Sequence, residues 1–158
     1  MTVTDMKTEP MTDAPAPLDP PVAVTVTREI AATPERLWTL WLDPDARMRW
    51  FGMDGITNTA CVSEPVVGGA WRMDATGPNG AFYISGHYVA LEPHRRIVMS
   101  WAHTGGDGVR GNETEAEILF EPNEDGTRVT VNHRQIRYTP DMFALGWTQS
   151  LGKIADMA

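Results

Sequence analysis

Histidine, glutamate and serine supply most of the chemistry open to this chain of 158 residues. Its four histidines are His87, His94, His103 and His133. No two of them stand at i, i+4 on a helix, and the single cysteine, Cys61, adds no Cys-X-X-Cys pair. A zinc or iron site therefore has no ligand set, and no metal is expected. A histidine inside an apolar cavity is another matter, because small shifts carry its pKa across neutrality and make it a general acid or base. Strand parity turns both His87 and His133 inward, so these two are the catalytic candidates. A hydrogen-bonded core histidine is the commoner outcome for such a residue.

Glu113, Glu115 and Glu117 have the look of paired catalytic carboxylates. They alternate onto an outer face, however, where Arg134 and Arg128 of the neighbouring strand are the expected partners in weak exposed pairs. Gly105-Gly106-Asp107-Gly108 leads into a strand and lacks the helix dipole of a phosphate site, so it reads as a hairpin loop. Ser85, Ser100 and Ser150 have no nucleophile elbow around them. No cofactor fingerprint is present, and none is expected.

The elements that must hold these residues announce themselves by their starts. Thr33-Pro34-Glu35, Asp43-Pro44-Asp45 and Thr139-Pro140-Asp141 share one grammar. A short oxygen side chain caps the free N–H groups, proline takes the first helical position, and an acid meets the positive end of the dipole. Leu37, Leu40 and Trp41 give the first helix an apolar side, and Phe143, Trp147, Leu151 and Ile154 give the last a stripe at i, i+4, i+8, i+11. Between lie strands and turns: Cys61–Glu64, Ala70–Ala75, Phe82–Leu91, Arg96–Ala102, Glu113–Phe120 and Thr127–Arg134, with 53–60 irregular. An alternating strand, Val22–Ile30, precedes the helices. The reading is α+β, in the order β-α-α-β(5-6)-α, a curved antiparallel sheet closed by one long C-terminal helix.

Bulk properties narrow the function. Net charge is −8, and Lys7 and Lys153 are the only lysines, so nucleic acid and anionic lipid are not expected partners. No window approaches the ~18–20 apolar residues of a membrane span. One cysteine fits a reducing cytoplasm, the expected location. Residues 1–21 hold five of the twelve prolines and little apolar surface, and are expected to form a disordered tail before one domain over 22–158.

Parity then selects the cavity lining. Val129, Val131 and His133 share one face of the last strand, with Thr114, Ala116, Ile118 and Phe120 opposite them. Ile97, Met99 and Trp101 share a face in the middle pair, with Tyr83, Ser85, His87, Val89 and Leu91 assigned to the same side. Trp71 and Met73 complete the set. The candidate ligand-binding residues are Trp71, Met73, His87, Met99, Trp101, His133 and Trp147. Such a stripe is more often plain core; a helix crossing a bent sheet is the feature that can leave a void.

Five pieces occur in order: Trp50-Phe51-Gly52; Val67-Gly68-Gly69-Ala70-Trp71; Gly86-X6-Pro93 followed by Arg96-Ile97-Val98-Met99-Ser100-Trp101; Gly126-Thr127-Arg128-Val129-Thr130-Val131; and Gly146-Trp147-X3-Leu151. Together they resemble the START-like (SRPBCC) superfamily over residues 22–157, in its branch of homologues of the activator of the heat-shock-protein-90 ATPase. The resemblance implies a helix-grip fold, also described as START-like or Bet v-like, with six or seven strands around the last helix. It implies a small hydrophobic molecule as partner, since superfamily relatives bind lipids, polyketides and hormones, and some are cyclases or hydrolases. Val66 and His94 depart from the residues frequent there, arginine and a second proline. Three functions follow as expectations: a binding module for a small hydrophobic or aromatic ligand; a cyclase- or hydrolase-type enzyme using His87 or His133; and a chaperone-interacting module. A homodimer is an open partner for all three.

Overall fold

In the computed structural model, which describes residues 16–158, seven strands form one antiparallel sheet in the order β1-β7-β6-β5-β4-β3-β2. The strands are β1 (Val22–Ile30), β2 (Thr57–Ser63), β3 (Ala70–Gly77), β4 (Gly80–Glu92), β5 (Arg96–Thr104), β6 (Thr114–Asn123) and β7 (Gly126–Ile136). Helices α1 (Pro34–Leu42) and α2 (Pro44–Trp50) connect the two edge strands, and α3 (Pro140–Met157) closes the chain. This is the antiparallel sheet closed by a C-terminal helix expected from the element order, and the helix-grip fold that the resemblance implies.

Two of the three helix starts behave as their grammar predicts. Thr33 Oγ1 accepts from the Arg36 N–H at 3.1 Å. Asp43 ends α1 through its own N–H to the Thr39 carbonyl and starts α2 by accepting from Ala46 N–H at 3.1 Å. Thr139 is the exception. Its backbone lies in the left-handed region, at φ 48°, and its side chain makes no capping bond. The sharp left-handed step out of β7 occupies the residue that sequence assigns to capping.

The stretch 53–60 is not wholly irregular. β2 begins at Thr57 and pairs with β3 from Thr76 onward, with a bulge between Asn58 and Ala60. Arg128, placed opposite the glutamate ladder, instead binds Glu29 of β1 at 2.7 Å. The ladder is held by Arg134, at 2.8 Å from Glu115, and by Arg96, at 2.7 Å from Glu117. The Arg96 bond, with Asn132 and Arg134 adding to it, holds the Glu117 carboxyl below its usual range. The expected disordered tail falls mainly on residues outside those described. Leu18, near its end, exchanges hydrogen bonds with Arg137 at 2.8 and 2.9 Å.

The larger correction is in β4. A bulge separates Tyr88, which pairs with Met99, from Ala90, which pairs with Val98. The inserted residue reverses parity, because a one-residue slip turns every side chain to the other face. Leu91 packs on the core, but N-terminal to the bulge it is Ile84, Gly86 and Tyr88 that turn inward. His87 and Val89 are exposed on the outer side. His87 is thus not a cavity residue, and Ser85 goes outward with it, binding Arg110 at 2.7 Å.

Helix α3 buries Trp147, Leu151 and Ile154. It packs chiefly along β1, with further contact to β7 and α2. Because the helix sits toward that side of the sheet, the inner face of β3, β4 and β5 is left partly uncovered.

Candidate functional site

The uncovered face is a cavity of about 890 Å³. Its wall combines Met73 from β3, Ile84 from β4, Trp101 from β5, Phe143 and Trp147 from α3, and Phe51 from the segment after α2. The two-residue turn Pro78-Asn79 and the loop 105–112 surround its mouth, where Phe82 stacks on His103 at 5.2 Å. Gly77 and Gly80 close that turn as a pair, and φ of +103° at Gly80 needs a residue without Cβ.

Three of the seven residues selected by parity and resemblance stand in this wall: Met73, Trp101 and Trp147. Trp71, Met99 and His133 are buried behind it. His87 lies on the opposite face. Phe51, Ile84 and Phe143 were missed as lining. The β4 bulge hides Ile84; Phe51 sits in a recognised piece and Phe143 on the apolar stripe of α3, and the side-chain direction of each is a tertiary matter.

Behind the wall the aromatics form one cluster. Trp101 lies 5.2 Å from Phe51, 5.2 Å from Trp71 and 5.3 Å from Trp147, while Trp147 stacks on Trp41 at 5.9 Å. Trp71 and Trp101 belong to strands that are not neighbours. They meet because Gly86 lies between them, directly across from Trp71. The Trp71 indole passes over this bare position and donates to the Ser100 carbonyl at 3.1 Å.

His133 is wholly buried, with both ring nitrogens engaged. Trp147 Nε1–H can only donate, so His133 Nδ1 accepts, at 2.9 Å. The proton of the neutral ring is then on Nε2 and goes to Thr114 Oγ1 at 2.7 Å, whose own hydroxyl donates to the Trp101 carbonyl at 3.0 Å. Burial, with adjacent Arg134 adding to it, pushes the His133 pKa from 6.5 to about 3. Its ring is a neutral brace between sheet and helix, not a base poised near neutrality.

A second buried polar residue, Arg47 of α2, escaped the sequence reading. Its guanidinium donates twice to the Trp41 carbonyl, at 2.8 and 2.6 Å, and once to Tyr88 Oη at 2.6 Å. Trp41 sits in the last turn of α1, so the cation meets the negative end of that helix rather than a carboxylate. The Trp71 and Tyr88 rings flank it at 5.5 and 5.8 Å. Nearby Cys61 has its thiol pKa raised by burial, which disfavours a reactive thiolate.

Among the described residues, no group of three or more His, Cys, Asp or Glu could hold a metal ion, and no helix is long and apolar enough to cross a membrane. Residues 31–158 match the family described as Activator of Hsp90 ATPase homolog 1-like protein. The fold is similar to that of a crystallised protein from Chromobacterium violaceum, at 25% identity and TM-score 0.76, covering 86% of this chain and 96% of that one. It is also similar to one from Rhodobacter sphaeroides, at 28% identity and TM-score 0.71, with 86% and 91% covered. A third, from Silicibacter pomeroyi and named for the same family, is 26% identical with TM-score 0.72, covering 85% and 96%. Comparison with curated proteins gives no match.

Proposed function

The chain belongs to the Activator of Hsp90 ATPase homolog 1-like family, with its helix-grip fold, and from that premise we propose that it is a binding module for a small hydrophobic or aromatic molecule. The observation that carries the reading is the offset of α3 toward β1, which leaves an apolar cavity of about 890 Å³ over β3–β5. That volume lies within the ~300–1,000 Å³ of small-molecule sites, and its aromatic and methionine wall suits an apolar guest. The acid–base alternative draws no support from the histidines, since His87 faces away and both nitrogens of His133 are bonded. The chaperone-interacting alternative rests on the family description alone. A single half-buried thiol suits the reducing cytoplasm in which we place the protein.

Titration with N-phenyl-1-naphthylamine, an uncharged apolar fluorophore, tests the reading. Saturable binding is expected, and Ala75→Phe, which adds bulk to the wall, should abolish it while the protein still unfolds cooperatively. No binding by the wild type, together with no small molecule carried by protein isolated from its own host, would overturn it.

A further inference from the structure

The hydroxyls of the inner wall are already engaged. Thr114 is bonded to His133 and to the Trp101 carbonyl, and Ser150 accepts from the Gly52 N–H at 3.0 Å. The wall includes no lysine and no arginine, and its one acid, Asp54, has Lys153 at 3.9 Å. A guest must therefore be apolar where it lies deepest, because a polar group taken out of water without a new partner costs free energy.

His103, near the end of β5, is placed differently. It stands directly across from Ile84 of β4, and Ile84 packs on the core, so the imidazole is on the cavity face. Trp101, two residues earlier in the strand, shares that face and continues the wall inward. Phe82 stacks on the imidazole at 5.2 Å, and its Cε1 lies 3.5 Å from where a Cβ of Gly105 would stand. The ring is thus held by a strand, an aromatic face and a bare backbone position. Neither of its nitrogens is bonded to a described residue, and the side chain is exposed at the mouth. Asn112, on the same rim, has its amide hydrogens on the Glu113 and Gln135 carbonyls. Asn79 and Tyr138 belong to connecting segments, which position a side chain less precisely than a strand does.

We propose that His103 is the specificity-determining residue of the cavity. Its guest is an uncharged molecule with an aromatic body and one terminal hydroxyl or carbonyl. The body lies against Trp101 and Phe51, and the polar end is held at the mouth by a His103 nitrogen. An imidazole suits either head group, since it accepts at one nitrogen and donates at the other. The inference rests on the cavity reading above and adds to it the guest's head group and orientation.

The test is displacement of N-phenyl-1-naphthylamine from the full chain by two matched pairs. They are 2-naphthol with 2-methylnaphthalene, and 2-acetylnaphthalene with 2-ethylnaphthalene; each pair keeps its shape and loses its polar group. Wild type is compared with His103→Phe, which keeps a ring to stack on Phe82 and removes both nitrogens. The position is exposed, so the fold tolerates the change. For at least one pair, His103→Phe is expected to weaken the polar member about fivefold relative to its apolar partner, the size of one net hydrogen bond. Unchanged ratios in both pairs, or equal weakening of polar and apolar members, would overturn the His103 anchor and leave the apolar cavity standing. If neither the fluorophore nor any of the four probes binds the wild type, the cavity reading falls and this inference with it.

Discussion

The indole N–H of Trp147 on α3 donates to Nδ1 of His133 on β7 at 2.9 Å, and this bond decides the tautomer, and so the chemistry, of the buried imidazole. It also ties the closing helix to the sheet at the place where the cavity begins, since Trp147 is both a wall residue and part of the core.

Trp147→Phe keeps an apolar ring and deletes the donor. His133 Nδ1 would be left buried and unpaired, at a cost of about 1–3 kcal/mol in urea unfolding. Trp147→Ala should cost more, about 3–5 kcal/mol, because packing with Trp41 and Trp101 goes as well. Equal stability of Trp147→Phe and wild type would show that the bond contributes nothing.

His133 also predicts how stability varies with pH. Its folded pKa, about 3, lies below the unfolded value near 6.5, so below 6.5 the unfolded chain binds the proton that the folded chain refuses. The associated stability is complete above pH 6.5 and is lost progressively as pH falls toward 3, at up to about 1.4 kcal/mol per unit. Glu117, whose pKa is lowered, adds a loss only at the carboxylate range and below. Unfolding free energies between pH 7.5 and 5 should therefore slope downward for the wild type and lie flatter for His133→Gln. Parallel curves would mean that His133 is not the neutral, desolvated group described.

Arg47→Met tests the cation at the end of α1. The Trp41 carbonyl loses both its donors, and Tyr88 Oη retains Ser63 Oγ at 2.6 Å. The desolvation of a guanidinium with one unbonded nitrogen, Nη1, is relieved at the same time. A net loss of about 2 kcal/mol is expected from the orphaned carbonyl. A variant as stable as wild type would show that desolvation outweighs the three bonds.

Two glycines should respond with opposite signs. A Cβ at Gly86 would lie 1.9 Å from the Ser100 carbonyl oxygen, so Gly86→Ala must part β4 from β5, and should cost about 3 kcal/mol or more. Gly152 is in the interior of α3 with nothing within 4 Å of its Cβ position. Gly152→Ala should stabilise by about 0.5–1 kcal/mol through helix propensity. Thermal unfolding of the two variants is the check.

The fold was legible because its signals are local and repeat: caps and prolines start the helices, and alternation marks the strands. Parity placed Met73, Met99, Trp101 and His133 inward, since their strands run without a bulge at those positions. It failed at His87 because the bulge near Val89 is a pairing event, decided by how β4 meets β5, with no residue that declares it. Arg47 was hidden for a related reason. An arginine among charged neighbours on a short helix reads as solvated, and only the docking of α2 against Tyr88 and Trp71 encloses it. The distinction between wall and core had no sequence signal at all, because it depends on where α3 lies across the sheet.

Five of the six strand ladders join strands consecutive in the chain; β1 with β7 is the exception. Those two pair residues roughly a hundred positions apart, from Val22 with Ile136 to Ile30 with Thr127. The consecutive hairpins can zip from nearest neighbours, whereas this last ladder must first lose the entropy of a long loop closure. Folding is therefore expected to grow as a meander through β2–β7, with the first-synthesised strand laid on last. Opening should run in reverse. The amides of β1 are expected to exchange with solvent hydrogen ahead of those of β5, and protection of β1 equal to that of β5 would contradict this order. A chain that opens from the β1 side sheds its edge while the strands beneath the cavity, β3 to β5, stay paired with one another.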